Sequence, residues 1–334
     1  MIYQMEPYKV LRFLLSVFRE REREMGGEGK IPCLDFSGEA MDEESEAWKA
    51  LSSKVREACE THGCFLVEYS KISVQLSEAM FMEMKRLFDL PEDTKKKHNS
   101  TLRFNGYFCS PFSSIHESFG INDAHQLQLA GAFTDLMWPP HGNPSFCEVL
   151  NSMSSKMMEL NLIILKMVYE SFGLENYSYG LQEENNTGNF RLIKYKVPIS
   201  NDPTIGLIPH TDKNFLTILS QNEVQGLEVM SKEGNWIQLS IPNECFMVIV
   251  GDSLKAWSNG RVHAAKHRVM MKGQKERYSC GLFLSPREDL TIEVPEKLVD
   301  QHHPLLYRPF TYSDFLNFYT SNLSDQALEL FAGV

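Results

Sequence analysis

Histidine and aspartate two residues apart are the first chemically informative feature of this sequence. His210-Thr211-Asp212 follows a segment rich in turn residues and precedes an apolar run. Side chains two apart in a strand point to the same face, so an imidazole and a carboxylate would converge. His267, before another apolar run, can supply a second imidazole. Two histidines and one carboxylate form a face that suits iron(II) and leaves coordination positions open.

A carboxylate-binding pair follows ten residues after His267. Arg277 and Ser279 are also two apart in a strand-like run, and a guanidinium fork beside a hydroxyl is a device for binding a carboxylate. A lone His-x-Asp arises by chance in many chains, and each histidine could equally be a hydrogen-bonded surface residue. The nearby arginine and serine favour the functional interpretation, in which one site holds a metal and a dicarboxylate.

The elements that would position these residues change in character near residue 188. The first half favours helices over 43–61, 73–89 and 145–172, with short strands at 31–36 and 64–67. The second half favours short strands separated by turn residues, at 190–196, 215–219, 227–230, 236–239, 246–250, 268–271, 278–284 and 290–294. The tail over 309–331 is helical again. Strands at this spacing are typical of an antiparallel sandwich or barrel. We therefore predict a mixed α+β fold: a double-stranded β-helix (jelly-roll) barrel with flanking helices and a helical N-terminal region.

Four segments are predicted along the chain. Residues 1–24 form an N-terminal appendage, because Met25-Gly26-Gly27 resembles the opening of a shorter chain. The apolar run within them is interrupted by Arg12 and is far short of the ~20 residues of a membrane-spanning helix. Residues 25–187 form a mainly helical region and residues 188–300 the barrel. Residues 301–334 form a C-terminal helical lid.

Composition narrows the classes of partner and compartment. The 334 residues are 43% hydrophobic and 23% charged, which is ordinary for a globular protein. The formal net charge of -11 argues against a nucleic-acid or anionic-membrane partner. The seven cysteines contain no CxxC pair and several lie in apolar runs, as expected for reduced, buried thiols. We predict a cytoplasmic protein that acts on a small molecule and needs no obligate protein partner.

The stretch from Tyr195 to Pro286 resembles the plant family of soluble iron(II)/2-oxoglutarate-dependent dioxygenases. The resemblance lies in several motifs whose order and spacing agree with that family: His210-Thr211-Asp212, Leu216-Thr217-Ile218-Leu219, Val224-Gln225-Gly226-Leu227-Glu228-Val229, Gly251-Asp252-Ser253-Leu254, Trp257-Ser258-Asn259-Gly260, His267-Arg268-Val269 and Arg277-Tyr278-Ser279. The pattern is most similar to a subgroup that contains glucosinolate side-chain dioxygenases of the alkenyl- and hydroxyalkyl-producing type. Auxin oxidases are similar in pattern too.

The resemblance assigns roles to individual residues. It implies that His210, Asp212 and His267 bind iron(II), with His267 favoured over His263. It implies that Arg277 and Ser279 bind the distal carboxylate of 2-oxoglutarate. Tyr195 would lie near the co-substrate's metal-bound end, although Lys194-Tyr195-Lys196-Val197 stands where many members have Asn-Tyr-Tyr-Pro. Dioxygen is the other co-substrate implied, and ascorbate the reductant.

The implied activity is oxidation of a small specialised metabolite or hormone by hydroxylation, desaturation or demethylation, with release of succinate and CO2. The alternative is a non-catalytic small-molecule-binding module that keeps the barrel. A cupin-type enzyme without 2-oxoglutarate would not need Arg277 and Ser279. For the substrate pocket we predict four residues, Phe283, Ser285, Phe119 and Phe310. They are mostly aromatic and uncharged, which favours a small, largely apolar substrate.

Overall fold

The computed structural model of the chain describes residues 31–110, 113–174, 185–199 and 202–334. The predicted appendage at 1–24 lies outside the described residues. Cys33–Val334 forms one unit. No helix among the described residues is both long and apolar enough to span a membrane.

The helices form where apolar residues recur at helical spacing and where a polar side chain caps the first turn. Ser45 and Ser73 accept hydrogen bonds from the first-turn amides of the first two helices, and Asn143 does so for the longest. The three predicted helices are therefore confirmed. The helices are α1 (Glu46–Thr61), α2 (Val74–Phe88), α3 (Glu92–Lys95), α4 (Leu127–Met137), α5 (Pro144–Ser171), α6 (Asp252–Trp257), α7 (Tyr312–Asn322) and α8 (Ala327–Ala332).

The strands form two larger sheets and a two-stranded ribbon. They are β1 (Cys33–Phe36), β2 (Cys64–Tyr69), β3 (Gly106–Cys109), β4 (His116–Asn122), β5 (Asn186–Tyr195), β6 (Thr204–His210), β7 (Leu216–Gln221), β8 (Leu227–Met230), β9 (Trp236–Gln238), β10 (Cys245–Val250), β11 (His267–Met271), β12 (Arg277–Pro286), β13 (Thr291–Ile292) and β14 (Phe310–Thr311). The eight-stranded sheet has the order β1-β2-β10-β7-β12-β5-β4-β3, and the four-stranded sheet has the order β6-β11-β8-β9. β13 pairs with β14.

The two larger sheets share one interior, since side chains from β5, β7, β10 and β12 of one and from β6, β8 and β11 of the other line a single cavity. The opposite face of the eight-stranded sheet packs against α5, where the Asn161 side-chain amide donates to the Leu282 carbonyl. Alternation along β12 thus sends even-numbered side chains such as Leu282 toward the helix and odd-numbered ones toward the cavity. This is the predicted jelly roll with flanking helices, although the described strands make two open sheets rather than one closed ring.

Three strands of the two larger sheets differ from the sequence prediction. β6 occupies a segment predicted to be a turn, because Gly206 and Pro209 read as breakers; it lies at the edge of its sheet, where a proline without an amide hydrogen is tolerated. β3 and β4 were not predicted at all, so the first half contributes four strands to the eight-stranded sheet. The described part of residues 25–187 is still mainly helical. The predicted boundaries of the four segments along the chain stay a prediction.

Candidate active site

The three candidate metal ligands meet where β6 and β11 run side by side. His210 is the last residue of β6 and His267 is the first of β11, and the two are direct partners in the ladder. Asp212 lies in the loop that leads from β6 to β7. One potential ligand atom from each residue lies within 4.8 Å of those of the other two. The structure therefore brings together the histidine-aspartate-histidine set expected from the sequence.

Hydrogen bonds orient each imidazole toward the carboxylate. The His210 Nδ1 lies 2.9 Å from the Ile208 carbonyl oxygen and the His267 Nδ1 lies 3.0 Å from the Ala265 carbonyl oxygen. A carbonyl only accepts, so both Nδ1 atoms carry the proton and both Nε2 atoms keep a free lone pair. The Nε2 atoms lie 3.7 and 3.9 Å from the Asp212 Oδ1. Two neutral imidazole nitrogens and one carboxylate oxygen facing a common point fit a divalent transition-metal ion.

Neighbouring side chains hold Asp212 in place. The Thr217 hydroxyl donates to the Asp212 Oδ2 at 2.6 Å, which leaves Oδ1 facing the imidazoles. The backbone amide of Asp252 donates to the Asp212 carbonyl at 2.8 Å, and the Asp252 carboxylate pairs with Lys213 at 2.5 Å. Gly251 permits this close approach, because a Cβ there would lie 2.1 Å from the Asn214 carbonyl oxygen.

The ionisation of the group follows from its burial and its contacts. Burial, assisted by the neighbouring His267, lowers the pKa of His210 to about 4, so the imidazole is neutral at neutral pH. Burial acts to raise the pKa of Asp212, but the two imidazoles and the Thr217 hydroxyl outweigh it and lower that pKa overall. The site therefore offers the negative charge of Asp212 beside the neutral imidazole of His210.

Arg277 lies on β12 inside the same cavity and is 1% exposed. Its guanidinium donates to the Gln221 side-chain oxygen at 2.7 Å and to the Ser279 hydroxyl at 3.3 Å, and its Nε has no hydrogen-bond partner. No carboxylate among the described residues pairs with it. The Tyr195 ring lies under the guanidinium, with 5.0 Å from its centroid to the Arg277 Cζ. A buried, unpaired guanidinium beside a hydroxyl suits the carboxylate of a ligand.

The cavity has a volume of about 460 Å³ and contains both groups of residues. Phe283 and Ser285 line it, as predicted from their alternation with Arg277. Phe119 does not: it is completely buried on β4 and packs against other aromatic rings, including Phe88 at 5.5 Å. Phe310 does not either, because it packs on the C-terminal helices against Phe315. The structure therefore places both side chains in the hydrophobic core and not in the lining of this cavity.

Four further residues line this cavity or support its side chains, although no sequence motif assigns them a role: Arg191, His116, Thr217 and Gln221. Arg191 could have been found, because it lies four residues before Tyr195 on the same strand and so shares its face. Thr217 and Gln221 reach the site only because of the way the strands pair. That pairing sets β7 beside β12 across about sixty residues of sequence, with Ser279 opposite Gln221.

Comparison with known proteins agrees with this geometry. Residues 186–286 match the 2OG-Fe(II) oxygenase superfamily, and residues 31–133 match the N-terminal region described as that of non-haem dioxygenases in morphine synthesis. The chain is 41% identical over 314 residues to the probable 2-oxoglutarate-dependent dioxygenase AOP1 of Arabidopsis thaliana, covering 91% of this chain and 96% of that protein.

Solved structures show the same fold. The dioxygenase for auxin oxidation from rice superposes with a TM-score of 0.79 at 30% identity, covering 91% of this chain and all of the rice chain. The Arabidopsis thaliana dioxygenase for auxin oxidation 1, solved with 2-oxoglutarate, superposes with a TM-score of 0.74 at 29% identity, covering 82% of this chain and all of that one.

Two open sheets around a histidine-aspartate-histidine cluster define the class of protein as a jelly-roll non-haem iron oxygenase. Extensive identity to the relatives makes this more specific: the chain belongs to the 2OG-Fe(II) oxygenase superfamily and is a 2-oxoglutarate-dependent dioxygenase. The predicted family, fold, enzyme class and requirement for iron(II) and 2-oxoglutarate are thereby confirmed.

Proposed function

We propose that His210, Asp212 and His267 hold the iron(II) and that Arg277, Ser279 and Tyr195 hold 2-oxoglutarate. The observation that carries this assignment is one cavity with two features. It contains three convergent ligand atoms, and it contains a buried guanidinium with no carboxylate partner among the described residues. A metal ion would bind the three ligand atoms, and a dicarboxylate would pair with the guanidinium.

Each residue has a defined task in this proposal. The two imidazoles present Nε2 because their Nδ1 protons are engaged by backbone carbonyls. Asp212 presents Oδ1 because Thr217 occupies Oδ2. Arg277 and Ser279 fix the distal carboxylate of 2-oxoglutarate so that its other end lies toward the metal ligands. When bound, the iron supplies the activation of dioxygen that accompanies conversion of 2-oxoglutarate to succinate and CO2.

The second product is an oxidised small molecule. Phe283 and Ser285 line the cavity on the same face of β12 as Arg277, but further along it, and we assign them to the substrate. The relatives are named for auxin oxidation and for the AOP dioxygenases. These names support a specialised metabolite or hormone as substrate, with hydroxylation, desaturation or demethylation as the outcome.

The setting of the reaction is the cytoplasm in this proposal. It is supported by the seven cysteines, none of which forms a disulfide in the structure. The net charge of -11 is unfavourable for contact with nucleic acid or an anionic membrane. We also propose that residues 301–334 cover the cavity as a lid, because Tyr312 and Tyr319 of α7 line it.

Succinate release tests the proposal. Purified protein with iron(II), ascorbate and 2-oxoglutarate should release succinate and CO2 slowly alone and faster with a metabolite extract. The extract should show a mass gain of one oxygen, or a loss of two hydrogens or of a methyl group. Asp212→Ala should abolish release while the fold is retained, because two imidazoles alone hold iron weakly. Succinate release at the wild-type rate by this variant would make the metal assignment wrong, and no release by the wild-type protein would favour a non-catalytic binding module.

A further inference from the structure

Arg191 occupies the cavity at a position beyond the residues assigned to 2-oxoglutarate. β5 and β12 pair antiparallel, and their cavity-facing side chains form a ladder that starts at the Arg277–Tyr195 pair. Arg191 stands opposite Gly281, which has no side chain, two steps further along that ladder. The successive pairs are Arg277 with Tyr195, Ser279 with Ile193, Gly281 with Arg191, Phe283 with Asn189, and Ser285 with Thr187. At ~3.4 Å per residue, Arg191 is too far along the strand to share the carboxylate that Arg277 binds.

No ion pair within the described part of the protein neutralises the charge of Arg191, although the Asp212 carboxylate of the same cavity attracts it. Its Nε donates to the Asn189 side-chain oxygen at 3.1 Å, and no carboxylate among the described residues forms an ion pair with it. Aromatic rings flank the guanidinium, with 5.1 Å from its Cζ to the Phe104 ring centroid and 5.2 Å to that of Phe283. This contact fixes the plane of the guanidinium and leaves its Nη atoms for a ligand. Arginine keeps its proton in proteins, so the charge is permanent.

The balance of charges in the cavity also indicates that Arg191 lacks a counter-ion. Asp212 and the two carboxylates of 2-oxoglutarate contribute three negative charges. The divalent metal, Arg277 and Arg191 contribute four positive charges. The other charged side chains lining the cavity are paired within the protein, Lys213 with Asp252 and Asp325 with Lys266. One positive charge is therefore left over when metal and co-substrate are bound, and it resides at Arg191.

The space next to Arg191 has a large hydrophobic wall. A second cavity of about 520 Å³ adjoins the first, and Phe104, Asn189, Ser285 and Tyr312 line both. Its further wall contains a group of hydrophobic side chains, including Leu129, Phe133, Leu136 and Leu316, and polar ones that include Arg103, Asp123 and Glu288. A ligand that reaches Arg191 would thus have hydrocarbon available for an apolar part.

We propose that Arg191 binds a carboxylate of the substrate, so that the enzyme acts on small monocarboxylic acids with an apolar body. This inference rests on the proposed function, in which Arg277 is already occupied by 2-oxoglutarate. A guanidinium matches a carboxylate in a planar, two-point geometry, and the flanking rings of Phe104 and Phe283 contact the apolar part. Arg191 is then a substrate-binding residue that determines specificity.

A matched pair of probes tests this proposal. Phenylacetate and phenylacetamide have nearly the same size but differ in charge. They are titrated calorimetrically into protein loaded with iron(II) and 2-oxoglutarate in the absence of oxygen. A charge-assisted hydrogen bond is worth about 1.5–3 kcal/mol, so wild-type protein should bind the acid roughly tenfold to a hundredfold more tightly than the amide. Arg191→Gln should remove that preference and Arg191→Lys should keep part of it. Arg287→Gln, an exposed arginine outside the cavity, should behave as wild type.

Measuring how tightly the same proteins bind 2-oxoglutarate distinguishes a failure of the Arg191 proposal from a failure of the proposed function. We expect Arg191→Gln to bind 2-oxoglutarate as the wild type does and Arg277→Gln to bind it weakly. Equal affinity of wild-type protein for the two probes, including no binding of either, overturns the proposal without any variant having to fold. A preference that survives in Arg191→Gln, or a loss of 2-oxoglutarate binding there, also overturns it. If wild-type protein does not bind 2-oxoglutarate at all, the proposed function itself fails.

Discussion

Arg277 is the single residue on which co-substrate binding should depend most. Arg277 is 1% exposed, and its guanidinium donates to a side-chain amide and a hydroxyl and lies against Tyr195, with no carboxylate partner among the described residues. Arg277→Gln removes the charge and the fork, so the concentration of 2-oxoglutarate needed for half-maximal succinate release should rise about tenfold to a hundredfold. Arg277→Lys should recover only part of the loss, because an ammonium is not planar. Iron(II) affinity, measured by titration, should stay at the wild-type value in both variants, and an unchanged 2-oxoglutarate dependence would remove Arg277 from the site.

Protonation of His116, which lies near the charged side chains of this cavity, should lower the stability of the fold at acid pH. Its ring stacks on Tyr195 with 5.1 Å between centroids, and neither ring nitrogen has a hydrogen-bond partner. Burial, assisted by the charges of Arg191 and Arg277, lowers the pKa of His116 to about 4. The unfolded chain takes up that proton near pH 6.5 and the folded chain near pH 4, so folding stability is lost as pH falls through this window.

His116→Phe keeps a ring against Tyr195 but cannot be protonated. We expect its melting temperature to fall less between pH 7 and pH 4.5 than that of the wild type. Parallel curves for the two proteins across that range would show that protonation of His116 does not limit acid stability. Both the wild type and His116→Phe are measured without added metal, so that competition between protons and metal for the iron ligands does not affect the comparison.

At the scale of elements, the helices and the strands with β-branched or aromatic runs could be predicted from the sequence, and β4 and β6 could not. β4 reads as polar because His116, Glu117 and Ser118 begin it, yet the strand is buried on both faces and Glu117 pairs with Lys95 at 2.8 Å. β6 is an edge strand with two breakers. Alternation of polar and apolar residues is informative only where one face of a strand meets water and the other is apolar. β4 is buried on both faces, and β6 exposes apolar Ile205 and Ile208, so neither strand shows that alternation.

The contact between β4 and the loop before β3 gives a prediction about an element. A Cβ on Gly120 would lie 1.7 Å from the Phe104 carbonyl oxygen. Phe104 already has a φ of 59°, which is unfavourable for a residue with a side chain. Gly120→Ala should therefore force the loop away and reduce the free energy of unfolding by about 1–3 kcal/mol. It should also move the Phe104 ring from Arg191.

Gly131→Ala is the matched control, because a Cβ there meets no atom within 4 Å and the residue lies inside α4. It should raise stability by up to about 1 kcal/mol. Urea unfolding of both variants measures the difference. If Gly120→Ala were as stable as Gly131→Ala, the close packing of this loop on β4 would be wrong.

At the scale of the whole molecule, the sequence predicts the class of fold but not the strand partners. The spacing of strands and the family resemblance both indicate a jelly roll. No local pattern indicates that β2 lies beside β10, or that the metal ligands come together through the β6–β11 ladder. The same long-range pairing determines Thr217 as the support of Asp212. Residues that act directly can thus be identified from motifs, whereas those that orient them require the tertiary structure.

Because the ligands come from two strands and a loop, metal binding should stabilise the folded protein as a whole. An ion that binds only the folded state adds RT ln(1 + [metal]/Kd), which is about 2.7 kcal/mol at a hundredfold excess over Kd. Cobalt(II), which is stable in air, should therefore raise the melting temperature of the wild type by several degrees in a concentration-dependent way. Asp212→Ala should show almost no rise. Thr217→Val, which keeps the shape but releases Asp212 Oδ2, should need roughly tenfold more metal for the same rise. Thr204→Val, at the opposite end of β6 from His210, should match the wild type. Equal curves for wild type and Thr217→Val would mean that the 2.6 Å hydrogen bond does not orient the ligand, and an equal rise in Asp212→Ala would place the ion elsewhere in the protein.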